Sequence, residues 1–189
     1  MRFLKREIFD LAKAWILISI AFTILFRNSL NQNYSLIFII SLLTAGIGFL
    51  LHELAHKFIA QRYNYYAEFH SFDRMLILAI VLSFFGFIFA APGAVFISGN
   101  ITKRKNGIIS LAGPLTNIVL SILFLILMNL NILTDVSNFG FRINSLLALF
   151  NMLPFFSFDG KKVFDWNKLI YTITVLIALF LVFVQLFSR

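Results

Sequence analysis

The chain has 189 residues, of which 60% are hydrophobic and 13% charged, with no cysteine and a formal net charge of +8. Soluble domains carry about 45–50% apolar and about 25% charged residues, so the composition excludes a water-soluble globule and points to an integral membrane protein with one domain, residues 1–189. The absence of cysteine excludes disulfides and thiolate metal ligands, and cations set at the ends of apolar runs speak for anchoring at a lipid surface and against nucleic acid as a partner.

A run of about 20 apolar residues is long enough to cross a bilayer. The first such run is 8–27, preceded by Arg2, Lys5 and Arg6. It holds Asp10 and Lys13, which can pair or snorkel to the interface. No small-residue cleavage site follows it, so it reads as a retained span and not as a signal peptide. The second span is 35–61, the third 107–131, the fourth 141–159 and the last 167–188.

Between the second and third spans, residues 75–91 are uncharged but short for a crossing. They run into Ala91-Pro92-Gly93-Ala94-Val95-Phe96-Ile97-Ser98-Gly99, an extended segment after a helix breaker. If 75–91 crossed, Lys and Arg would divide almost evenly between the two sides. If it dips in and returns, every Lys and Arg except Arg27, Arg142 and Arg189 falls on the inner side, as the positive-inside rule requires. The expected fold is therefore all-α in a membrane. It has about five transmembrane helices plus a re-entrant helix–strand element between the second and third spans, with the N-terminus in the cytoplasm. Irregular backbone at membrane depth must be buried in protein or line a wet cavity.

The second span carries His52-Glu53-Leu54-Ala55-His56. Histidines four apart share one helix face and can bind one zinc ion, and the intervening glutamate can act on water at that ion. Ionisable groups within a span are costly unless functional. With the second span running inward, His52 lies about 26 Å below Ser35 at about 1.5 Å per residue, in the cytoplasmic third of the bilayer. Lys57 and Arg62 then fall at the headgroups. By the same measure Asp159 lies about 27 Å below Phe141. Two histidines and a carboxylate at one depth can supply three ligands and leave a fourth position for water. Asp159 can instead cap the helix that carries Lys161 and Lys162, and Glu68 is a rival third ligand, although it sits with His70 in a polar loop.

Three further sites are singled out. Asn151 can satisfy the carbonyl of residue 150, freed by Pro154, or it can face a substrate amide or a developing oxyanion. Gly113, beside Pro114, allows close helix packing, and Asn117 can bond a neighbouring helix or the site.

Taken together, His52-Glu53-Leu54-Ala55-His56, Gly113-Pro114-Leu115-Thr116-Asn117, Asn151-Met152-Leu153-Pro154 and Asp159-Gly160 resemble the site-2 protease family of intramembrane zinc metalloproteases. The resemblance covers about 35–165, with 8–27 and 167–188 as flanking helices. It implies one zinc held by His52, His56 and Asp159, and Glu53 as catalytic acid and base. It also implies Asn151 near the substrate backbone, with a membrane strand at Gly93 and Ala94 ahead of the Gly-Pro helix that carries Asn117. The chain departs from the family at 75–91, an added apolar segment, and at Ser157-Phe158, where relatives often have Pro-Leu or Pro-Met. The compact form, with no PDZ or CBS module, looks prokaryotic and archaeal in style.

The expected activity is hydrolysis of peptide bonds in a membrane-spanning protein substrate, in a multi-pass cell-membrane protein whose active site lies near the cytoplasmic side. The alternatives are a metal-ion transporter, which would need a polar path through the outer halves of the spans, and a catalytically inactive relative that binds membrane helices.

Overall fold

A computed structural model describes residues 3–27, 33–88 and 92–187. Arg2, Ala91 and Arg189, and the ends of the expected segments 75–91 and 167–188, lie outside the described residues. The first helix, α1 (Lys5–Phe26), is followed by one continuous helical path made of α2 (Tyr34–Ser41), a π-helical turn at Leu42–Gly46 and α3 (Ile47–Arg62). Asn33 starts this path by accepting the Leu36 N–H at 2.9 Å, a side-chain N-cap. A π-turn adds a residue to one turn and re-phases the helix after it. Here the indole N–H of Trp15 in α1 donates to the Leu42 carbonyl at 3.1 Å.

Strand β1 (Tyr66–Ser71), the short helix α4 (Asp73–Ser83) and strand β2 (Gly93–Ser98) come next. The strands pair antiparallel, from Tyr66 opposite Ser98 to Ser71 opposite Gly93. The helix in this excursion ends at Ser83, well before residue 91, and Gly86 follows at φ +89°, a left-handed backbone that glycine adopts without penalty.

The rest is helical: α5 (Lys103–Asn129), α6 (Thr134–Asn151), α7 (Asp159–Trp166) and α8 (Lys168–Phe187). Among the described residues, four helices are long and apolar enough to cross a membrane: Lys5–Phe26, Tyr34–Arg62, Lys103–Asn129 and Lys168–Leu186. Helix α6 is more polar because it turns Ser137, Asn144 and Ser145 inward, all fully buried.

The expected fourth span, 141–159, is corrected. The helix starts at Thr134 and stops at Asn151, and Asp159 begins a separate helix after an irregular stretch. Pro154 has no N–H to extend α6, and Phe156 takes a left-handed φ of 52° that turns the chain. The Lys57 side chain is buried within the protein, only 1% exposed.

Apolar clusters of buried side chains hold the bundle, two of them larger than the rest among the described residues. Leu11, Ala14, Ile18, Phe49, Phe69 and Leu76 join α1, α3, α4 and β1. Ile118, Phe124, Phe141, Ala148, Ala178 and Leu181 join α5, α6 and α8. Lipid is as apolar as these side chains, so close packing and buried polar bonds, more than escape from water, hold such helices together.

Candidate metal centre

Helix α3 places His52 and His56 one turn apart with both rings buried and their Nε2 atoms 3.0 Å from each other. Asp159, the first residue of α7, brings Oδ2 to 3.2 Å from His52 Nε2 and 3.0 Å from His56 Nε2. These three residues form the metal-compatible group found among the described residues. Glu68 stands apart from it on β1, accepting the Tyr66 hydroxyl at 2.6 Å. That carboxylate holds the Tyr66 pKa above its ordinary value. His70 lies 3.8 Å from Glu68 and 4.0 Å from Asp10, also away from the group.

The surrounding hydrogen bonds fix which ring nitrogens face inward. His52 Nδ1 lies 2.6 Å from Asn117 Oδ1, and His56 Nδ1 lies 2.8 Å from the Ile109 carbonyl. Both partners are acceptors, because Asn117 uses its Nδ2 to donate to the Gly48 carbonyl and to Asn144 Oδ1. Asn144 in turn donates to the Gly140 carbonyl at 2.9 Å. Each imidazole therefore carries its hydrogen on Nδ1 and presents an Nε2 lone pair to the centre.

Two nitrogen lone pairs and a carboxylate about 3 Å apart repel unless they share a cation. A tetrahedral zinc with bonds of about 2.0–2.1 Å sets its ligand atoms about 3.3–3.4 Å apart. The observed triangle, with edges of 3.0, 3.0 and 3.2 Å, is slightly tighter than that spacing, and the neutral-imidazole and carboxylate donors suit zinc. The residues fit the ion.

Two glycines make the approach possible. A Cβ at Gly113 would meet both Nε2 atoms at 2.5 Å, and a Cβ at Gly160 would collide with the Met152 backbone. Gly113 thus lets α5 back against the imidazoles, while Gly160 lets α7 fold onto the end of α6 and turn Asp159 inward.

Glu53 is buried beside the group. It shares a cavity of about 580 Å³ with the three donors, β2, Asn117, Asn151 and Lys162. The strand pairing shows which edge faces this cavity. Phe69 N–H donates to Glu7 and Ser71 N–H to Asp10, both away from β2, while Phe72 N–H donates to the Pro92 carbonyl. In an antiparallel ladder this makes Phe69–Val95 and Ser71–Gly93 non-hydrogen-bonded pairs. Gly93, Val95 and Ile97 therefore turn their main-chain groups to the outer edge of β2, and Ala94 turns its own toward His70.

Asn151 lines the cavity and donates its Nδ2 to the Leu147 carbonyl at 2.9 Å. The carbonyl of residue 150 is met instead by the Leu153 N–H at 3.2 Å. Sequence reasoning missed Asn144 and the pair Glu7–Lys57. Asn144 carried a readable signal, an amide within an apolar helix, whereas Glu7 lay just outside the expected first span.

The chain is similar to two proteins of Methanocaldococcus jannaschii. One, named "Putative zinc metalloprotease", is 44% identical over 179 residues, covering 91% of this chain and 90% of its own. The other, named "Zinc metalloprotease", is 25% identical over 139 residues, covering 70% of this chain and 35% of its own length. No family model matches the chain. No solved structure matches it either.

Proposed function

Because this chain belongs to the zinc metalloprotease family of its Methanocaldococcus relative, we propose that it is an intramembrane endopeptidase of the site-2 type, cutting peptide bonds within membrane-spanning protein helices. The observation that carries this reading is the His52–His56–Asp159 triangle, buried with Glu53 beside an open strand edge in an apolar helix bundle.

His52, His56 and Asp159 would hold the zinc, one ion per chain. When bound, zinc polarises a carbonyl and lowers the pKa of a coordinated water to about 7. Glu53 takes the proton released from the attacking water and returns it to the leaving amine nitrogen. Asn151 is positioned on the cavity wall to bond the substrate backbone. A spanning helix has its backbone amides and carbonyls internally bonded, so a substrate must unwind before attack. The outer edge of β2 at Gly93, Val95 and Ile97 offers an unwound segment main-chain partners, as in strand addition.

The proposed topology has five crossings, α6 being the fourth, with α4 and the two strands re-entrant and the N-terminus cytoplasmic. Helix α4 has 11 residues, about 16 Å at about 1.5 Å per residue, too short for a hydrocarbon core of about 30 Å. The pairing of Tyr66 with Ser98 favours a chain that returns to the side it left. Contacts between Glu7 and Lys57, and between Lys105 and Tyr63, gather the cation-bearing ends of α1, α3 and α5 at one pole, which suits the cytoplasmic side of a multi-pass cell-membrane protein.

The test is incubation of the purified protein in proteoliposomes with a single-span substrate, with and without a zinc chelator. Cleavage within the apolar segment, abolished by the chelator and restored by zinc, is expected. An intact substrate under all conditions would contradict the reading.

A further inference from the structure

The least exposed ion pair among the described residues lies outside the metal centre. Lys57, the residue after His56, places Nζ 2.5 Å from both carboxylate oxygens of Glu7, and both side chains are 1% exposed. The same ammonium lies 4.5 Å from the centre of the Phe3 ring. Removing two charges from water is expensive, and a neutral pair would pack α1 on α3 as well. The arrangement has a second feature that packing alone does not need: Glu7 Oε1 also accepts the Phe69 N–H at 3.0 Å.

That third contact links the pair to the cavity. Phe69 stands opposite Val95, and Val95 lines the same cavity as Glu53. One turn further along α1, Asp10, itself paired with Lys13 at 3.2 Å, accepts the Ser71 N–H. The outer edge of β1 is thus capped by acids on a helix, and among the described residues β2 turns the main-chain groups of Gly93, Val95 and Ile97 to its outer edge. An unpaired edge is a template for pairing with another chain, so capping one side decides where a strand can add.

We propose that Glu7, held by Lys57, is a positioning residue: it closes the outer edge of β1 and fixes the sheet so that the open edge of β2 lies against Glu53. Its consequence for cleavage rests on the protease reading above, while its consequence for the sheet does not. Glu7 touches no reacting atom. It acts through Phe69 and the strand register on Val95.

Two double variants of the full chain separate positioning from charge balance. Glu7→Gln with Lys57→Met is neutral and keeps an oxygen for the Phe69 N–H. Glu7→Leu with Lys57→Met is equally neutral and removes that acceptor. Both are compared with the wild type by hydrogen–deuterium exchange over residues 66–71 and 93–98, by zinc content, and by KM, kcat and cut position on a single-span substrate. The Gln–Met variant should match the wild type. The Leu–Met variant should keep zinc, exchange faster in both strands, raise KM about tenfold with kcat nearly unchanged, and cut at several neighbouring bonds. Equal exchange in the two variants would overturn the proposal. If the wild type leaves the substrate intact while the exchange contrast persists, the protease reading falls and the clamp stands.

Discussion

His52 and His56 both donate their Nδ1 hydrogens to α5, one to the Asn117 side-chain amide and one to the Ile109 carbonyl, and this is where single substitutions should report. Asn117→Leu leaves the His52 ring free to change tautomer, and loss of such an outer partner costs about 10–100-fold in metal affinity. Asn144→Leu should weaken zinc in the same direction but less, because it acts through Asn117. Competition titration with a fluorescent chelator measures both. Gly113→Ala should release zinc outright, its new methyl group occupying space next to both Nε2 atoms. Glu53→Gln separates binding from chemistry: zinc content stays at the wild-type level while cleavage falls about 10²–10⁴-fold, the usual contribution of a positioned acid–base. The histidines and Glu53 were legible because helical spacing is written in local sequence. Asn144 stands out locally as an amide within an apolar helix, but its contact with Asn117, 27 residues away, is not written in local sequence.

At the scale of elements, the strand pair and α7 carry the consequences. Ala94 uses its main chain in the ladder with β1, whereas Ile97 turns its own to the open edge. Proline tolerates an edge position whose N–H is unpaired but breaks a ladder position. Ile97→Pro should therefore keep the fold and zinc while raising KM for a membrane substrate. Ala94→Pro should lower thermal stability by about 1–3 kcal/mol, the cost of leaving a buried partner unsatisfied, as read from the unfolding midpoint in detergent. If Ile97→Pro cleaves with an unchanged KM, strand addition at this edge is wrong. The strand itself was readable from Pro92 and the branched residues after it. The reversal that delivers Asp159 was not. Its depth was inferred from an uninterrupted descent from Phe141, but Pro154 ends the helix early and the left-handed Phe156 with the close Gly160 contact carries the chain back to the histidines. The aspartate reaches the site by tertiary packing, which one-dimensional spacing does not encode.

For the whole molecule, the metal centre lies at a seam where α3 and α7 both pack against α5. Its donors come from two helices, His52 and His56 from α3 and Asp159 from α7. A cation held across that seam stabilises the folded state by mass action, about 2.7 kcal/mol at a free concentration 100 times the Kd. Chelation should lower the unfolding midpoint of the wild type and leave that of His56→Ala unmoved. The composition already required a membrane protein, but how its helices share one seam emerged only from the packing. The central claim is that these three side chains hold one catalytic zinc. Its most direct test is elemental analysis of the purified wild type beside Asp159→Ala, each also assayed on the single-span substrate. One zinc per chain with cleavage in the wild type, and loss of both in the variant, is the expected result. Full zinc and full cleavage in Asp159→Ala would contradict the account.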